Sequence, residues 1–198
     1  MGEALELYSF GDTDRSGKVR FLAAELGIEV VERRVGYPEH RQPDYLDKNP
    51  LGVIPTAVWR GRTMGESTAI CRWLAETEGP HLVVPPGDAR RPDYLWWMSA
   101  SVETCEGPLV QCVVSKAGLL PPEVFERQAP MVKHKIRALA ARLPATGYVV
   151  GDFSLADICV AYSVRLALGV GLLEEGAGGA WLERMKARPA AEVARFFG

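Results

Sequence analysis

The sequence predicts an α/β unit followed by an all-helical one, and three observations carry that prediction. Strand-like and helix-like patterns alternate through the first 79 residues. The run Gly79-Pro80-His81-Leu82-Val83-Val84-Pro85-Pro86-Gly87-Asp88 is aperiodic and rich in breakers, and everything beyond it has helical spacing. A first domain is therefore expected over 1–79, a linker over 80–88 and an all-helical second domain over 89–198. With 198 residues, 47% of them hydrophobic, and a formal net charge of −2, the chain has material for one or two small cores and no basic face for nucleic acid. No apolar run reaches the length of a membrane span, and Met1-Gly2-Glu3-Ala4 lacks the charged and apolar regions of a signal peptide, which points to a cytoplasmic protein.

Residues 4–10 alternate as a strand does. The next stretch, Gly11 to Lys18, superficially resembles a phosphate-binding loop, but its Gly-to-Gly-Lys spacing is one residue too long and Val19 stands where a magnesium-binding hydroxyl is needed. A helix follows with Val19, Leu22, Ala23 and Leu26 facing inward, Ser16 as its N-cap and Gly27 as its stop. A second strand over 29–35 completes a right-handed parallel crossover. Residues 36–48 are polar and turn-rich, with a short helix expected over 40–46.

Between Asn49 and Ile70 lies the stretch richest in chemistry. Asn49-Pro50 and Arg60-Gly61 bracket a short strand that begins near Pro55, and a second short strand runs into a helix capped by Ser67, with Ile70, Trp73 and Leu74 as its apolar stripe. Pro55 cannot donate to a ladder, so it belongs at a strand start and leaves the Ile54 backbone for a partner. The free N–H groups of the helix's first turn attract a carboxylate, and Glu66 beside them can hold an ammonium. Such a set suits a small zwitterionic, peptide-like ligand; the same residues read equally as a hairpin leading into a capped helix.

In the second half, 92–116 reads as a long helix interrupted at Gly107-Pro108, and 121–143 as another. Ser154 and Asp157 are spaced as N-cap and N3 of an apolar helix over 155–168, a capping box with Asp in place of Glu. Cys71, Cys105, Cys112 and Cys159 form no Cys-x-x-Cys pair and have no His at ligand spacing, so free buried thiols are expected, with neither disulfide nor metal site.

Two of these stretches carry a resemblance. Asn49-Pro50-x-Gly52-x-Ile54-Pro55, followed by Glu66-Ser67-x-Ala69-Ile70 and a helix ending Trp73-Leu74-Ala75-Glu76, resembles the glutathione-binding half of the cytosolic glutathione S-transferases. Gly151-Asp152-x-Ser154-x-Ala156-Asp157-Ile158 resembles the signature in the core helix of their second domain. The resemblance implies an N-terminal thioredoxin-like domain, a C-terminal helical bundle, glutathione in the cleft between them and a homodimer. It places the cysteinyl part of glutathione on Ile54 beside a cis Pro55, the γ-glutamyl end on Glu66 and Ser67, and the glycyl carboxylate near His40. Val53 stands where many relatives carry Lys or Gln, which weakens the glycyl end.

Counted back from Lys18, Thr13 matches the Ser or Thr of the serine-type and related bacterial transferases, which donates a hydrogen bond to the sulfur. Ser16 is the competing candidate, already engaged if it caps the helix, and Ser9 lies further outside. Asp12 and Asp14 flank Thr13 and oppose an anionic sulfur, while Arg15 and Lys18 oppose them in turn. The second substrate, a small hydrophobic electrophile, is expected near Trp97, Met98, Ser101, Val102 and Cys105, residues that serve equally as domain core. Conjugation, isomerisation or dehalogenation would all fit. The competing reading is a non-catalytic regulatory or binding protein of the same fold, as in the stringent-starvation regulators or elongation-factor subunits.

Overall fold

A computed structural model describes residues 3–198. Its sheet contains β1 (Leu5–Ser9), β2 (Val30–Arg34), β3 (Thr56–Trp59) and β4 (Arg62–Gly65) in the order β2-β1-β3-β4. Leu5 and Leu7 alternate inward at 0% exposure, as a half-buried strand requires. β1 pairs in parallel with β2 and antiparallel with β3, and β3 pairs antiparallel with β4. Helix α1 (Ser16–Glu25) makes the crossover, and α3 (Ser67–Glu78) packs beside it. A turn of 3-10 helix at Glu39–Arg41 and the single-turn α2 (Pro43–Leu46) fill the long connection to β3. Arg60 and Gly61 both have positive φ, as a two-residue hairpin turn demands.

The second unit runs from Val84 to Ala187 and contains α4 (Arg91–Ser99), a π-helical stretch (Ala100–Glu106), α5 (Gly107–Lys116), α6 (Pro122–Ala140), α7 (Leu155–Gly169) and α8 (Gly179–Lys186). The expected interruption at Gly107-Pro108 takes the form of the π stretch. Pro108 has no N–H, and its ring crowds the carbonyl one turn back, so the ladder widens ahead of it. Ser163 of α7 donates to the Ser101 carbonyl at 3.0 Å. α7 is buried on every side from Leu155 to Val164 and forms this unit's centre.

The division differs from the sequence reading at both ends. The first unit extends to Val83, so Pro80–Leu82 belong to it as a 3-10 turn and the expected linker is split. Residues 188–198, expected in the second domain, pack into the first unit instead, because α9 (Pro189–Val193) lies against α1 and Phe196 is fully buried against Phe21, ring centroids 4.9 Å apart. Arg188 and Glu25 pair beside them, with one contact at 2.8 Å. α1 is thereby buried on two faces, which its periodicity alone did not announce.

Candidate functional site

The sheet's register assembles the site. Tyr8 pairs with Thr56, and Thr56 with Gly65, so the loop after β1, the segment entering β3 and the residues leaving β4 all emerge at one end of the sheet. β2 runs parallel to β1 and delivers Gly36–His40 to that same end, with Val35 donating to the Ser9 carbonyl at 2.8 Å. Thr13, His40, Ile54-Pro55 and Glu66-Ser67, separated by up to 54 positions in sequence, are thus brought together in the first unit.

A buried polar cluster holds the middle of this end. Asn49 Nδ2 donates to the Val53 carbonyl at 3.0 Å and to Thr56 Oγ1 at 2.9 Å, and the Tyr45 hydroxyl reaches the same two oxygens at 2.8 and 2.7 Å. A Cβ on Gly65 would lie 3.0 Å from Asn49 Nδ2, so glycine lets the asparagine close under the sheet. With its neighbours fixed, Ile54 is buried, the Ile54–Pro55 bond is cis as expected, and the Ile54 main chain takes part in no hydrogen bond among the described residues. Val53 is exposed beside it, with its carbonyl already taken.

After β4 the reading of Ser67 needs correction. Glu66 occupies the N-cap position with φ 62 and makes no side-chain capping bond, while Ser67 is the first helical residue and is buried. The positive φ turns Glu66 outward: its carboxylate is solvent-exposed ahead of the first turn of α3, while its carbonyl accepts from Ile70 N–H at 2.9 Å.

Ser16 is not an N-cap either. It is the first residue of α1, fully buried, and the capping work is done by Asp14, whose carboxylate accepts from the Ser16 N–H at 2.6 Å, the Gly11 N–H at 3.2 Å, the Phe10 N–H and the Ser16 hydroxyl. Arg20 closes the network from inside, donating to Ser16 Oγ at 2.7 Å, the Gly11 carbonyl at 3.1 Å, the Asp12 carbonyl at 3.0 Å and Glu32 Oε1 at 2.7 Å. Ser9 is committed to the same Glu32 carboxylate at 2.6 Å. Of the three hydroxyls considered, Thr13 is the one that is exposed. The Tyr8 hydroxyl donates its one proton to Glu6 at 2.6 Å, and burial together with that bond pushes its pKa up to about 12, so the proton stays committed there.

His40, which the resemblance places near the glycyl carboxylate, is buried. Its ring stacks on Tyr37 at 4.8 Å between centroids and meets Phe10 edge-on at 5.1 Å, and burial, reinforced by the neighbouring Arg41, holds its pKa below the ordinary histidine value. Its Nδ1 is buried without a hydrogen-bond partner.

Ser154 and Asp157 lie in the second unit, where Asp157 Oδ2 accepts from the Ser154 N–H at 3.0 Å as a capping box requires. Trp97, Met98, Ser101 and Cys105 are buried, Val102 is half-buried, and the Ser101 hydroxyl turns back onto the Trp97 carbonyl at 2.8 Å, so these side chains are engaged as wall and core. Sequence reasoning missed Asp14, Arg20, Glu32, Tyr45 and Asn49 as site builders. Asn49 alone carried a visible signal, a turn asparagine ahead of proline.

Residues 15–77 match the family model described as "Glutathione S-transferase, N-terminal domain". The chain is 27% identical to glutathione S-transferase 4 of Zea mays across 98% of its own length and 93% of that protein. It is 30% identical to glutathione S-transferase 3 of Zea mays across 77% of its length and 73% of the relative. Among solved structures, the glutathione transferase URE2P6 of Phanerochaete chrysosporium, in complex with oxidized glutathione, superposes with a TM-score of 0.83 at 25% identity, covering 98% and 96% of the two chains.

Proposed function

We propose that this chain, which belongs to the glutathione S-transferase family, binds glutathione at the assembled end of its sheet and activates the sulfur for attack on a small electrophile. The observation that carries the reading is the register Tyr8–Thr56–Gly65, which gathers a hydroxyl, an open backbone edge, an exposed carboxylate and a helix N-terminus at one place. Those groups fit glutathione piece by piece. Glu66 pairs with the γ-glutamyl ammonium, Ser67 and the first-turn N–H groups of α3 take its carboxylate, and the Ile54 main chain pairs with the cysteinyl unit. The glycyl end is assigned to the neighbourhood of His40, whose ring packs against Tyr37 and Phe10, and Val53 offers it no polar side chain.

Glutathione supplies the nucleophilic sulfur, and the task of the chain is to keep that sulfur ionised. Thr13 donates a hydrogen bond to it, which favours the thiolate. The end of α1 contributes less than a bare helix N-terminus would, since Asp14 already accepts from its first amide and sets a carboxylate against the dipole. The homodimer and the cytoplasmic setting belong to this proposal by family analogy.

Calorimetric titration with glutathione, followed by a conjugation assay with a test electrophile, decides the matter. Saturable binding with turnover is expected, and absence of binding at millimolar ligand would remove the proposal. A second reading, glutathione binding without chemistry, draws on the exposure of Thr13 between two carboxylates. Binding without turnover across a panel of electrophiles would favour it.

A further inference from the structure

Three non-glycine residues among those described have positive φ, and one of them, Glu66, stands at the candidate site. Arg60 belongs to the hairpin turn and Glu66 leads α3; the third, Arg195 (φ 49), follows α9. Its N–H donates to the Glu192 carbonyl at 2.8 Å, and the Phe196 N–H donates to the Ala191 carbonyl at 2.9 Å. That paired reversal is the Schellman ending, whose left-handed residue is usually glycine. Arginine there gives up stability that glycine would keep, so its side chain is the place to look for a reason.

The guanidinium of Arg195 contacts Asp12 Oδ1 at 2.9 Å and Glu32 Oε2 at 3.5 Å. One residue earlier, the Ala194 carbonyl accepts from Arg20 Nε at 3.4 Å, and the same Arg20 holds the Gly11 and Asp12 carbonyls. The C-terminal tail is therefore joined by charge and by hydrogen bonds to the loop that carries Thr13. We propose that Arg195 is a positioning residue for sulfur activation: it offsets the Asp12 carboxylate adjacent to Thr13, so that the loop does not push a bound thiolate back toward the thiol.

The proposal rests on the glutathione reading. The other charged and titratable groups around the loop have other engagements. Asp14 is occupied by four donors from the loop and α1, and Glu32 is paired with Arg20 from within α1. Arg34 of β2 stands 3.5 Å from Asp12 and shares its carboxylate. Arg15 lies on the loop itself, Lys18 is buried in α1, Tyr45 of α2 feels Asp14, and His40 packs against Phe10. Because the Asp12–Arg195 pair is partly exposed, its influence on the sulfur is modest, on the order of half to one pKa unit.

The test compares wild type with Arg195→Gly, Arg195→Lys, Asp12→Asn and the Asp12→Asn/Arg195→Gly double variant. Thermal midpoints, glutathione affinity and the pH profile of thiolate absorbance in the glutathione complex are the readouts. A purely structural residue 195 predicts that glycine raises the melting temperature and leaves the profile alone. The proposal expects glycine to keep or raise the midpoint while shifting the profile upward, leaving roughly three- to tenfold less thiolate below the shifted pKa. Lysine should restore part of the shift, and Asp12→Asn in the glycine background should cancel it. An unshifted profile in Arg195→Gly, or a shift that Asp12→Asn fails to cancel, overturns the proposal. Should Arg195→Gly not fold, Asp12→Asn alone still decides, since it must lower the pKa and a rise or no change counts against the idea. A wild type that binds no glutathione overturns the functional reading and this inference together, whereas wild-type binding with an indifferent Arg195 overturns the inference alone.

Discussion

At Glu66 the backbone and the side chain ask for different residues. Its φ of 62 favours glycine, yet the carboxylate is what the ligand reading needs. Glu66→Gly is therefore expected to change stability by less than about 1 kcal/mol while weakening glutathione by roughly 1–3 kcal/mol, the range for losing a charged hydrogen-bond partner, as read by calorimetry. The two hydroxyls of the sulfur loop should separate as cleanly. Thr13→Val removes an exposed donor and is expected to raise the pKa of the bound thiol by roughly one to two units, slowing conjugation at neutral pH and recovering as pH rises. Ser16→Ala empties a buried position between Asp14 and Arg20 and should instead lower stability by about 1–3 kcal/mol. A thiolate profile moved by Ser16→Ala and not by Thr13→Val would reverse those roles. Glu66, Ser67 and Thr13 could be put forward from the sequence because each sits in a short local pattern. Arg20 and Glu32 could not, since a buried ion pair between a helix and a neighbouring strand leaves no periodic trace in either element.

Among the elements, α7 shows how far a local motif under-reports its own weight. A capping box implies one or two hydrogen bonds, but Asp157 also accepts from the Val149 N–H at 3.0 Å and from Trp181 Nε1 at 2.9 Å. Asp157→Ala strands several buried donors and should cost about 3 kcal/mol or more, beyond the roughly 1 kcal/mol of a simple cap, by chemical denaturation. Burial, only partly opposed by those bonds, holds its pKa above the usual aspartate value. In the π stretch, Cys105 is buried and its thiol is pushed up to about 11 by that burial, with Cys112 shifted in the same direction. A thiol raised on folding contributes stability that is complete below its unfolded value of 9.0 and fades as pH climbs toward about 11. Cys105→Ala should accordingly flatten the alkaline limb of the stability profile, and an unchanged slope would refute it. The π stretch itself was foreseeable only as an interruption, because proline announces a missing donor without saying how the ladder will rearrange.

For the whole molecule, the parallel crossover, the pair of short strands and the helical second half were readable from pattern, while the central place of β1 in the sheet and the destination of residues 188–198 were not. α9 and Phe196 are short and apolar like many helix ends, and only the uncovered face of α1 decides where they go. Phe196→Ala should destabilise the first unit by about 3–5 kcal/mol, and amide exchange in α1 should accelerate with it. A variant whose first unit holds its protection would contradict the assignment. The unit that begins the chain is finished by the segment that ends it. Residues 1–83 by themselves therefore lack one wall, and Phe21 meets its partner only after the chain has passed through the whole of the second unit. During synthesis this unit is expected to stay open at that face of α1 until residues 188–198 have emerged, however early its strands have paired.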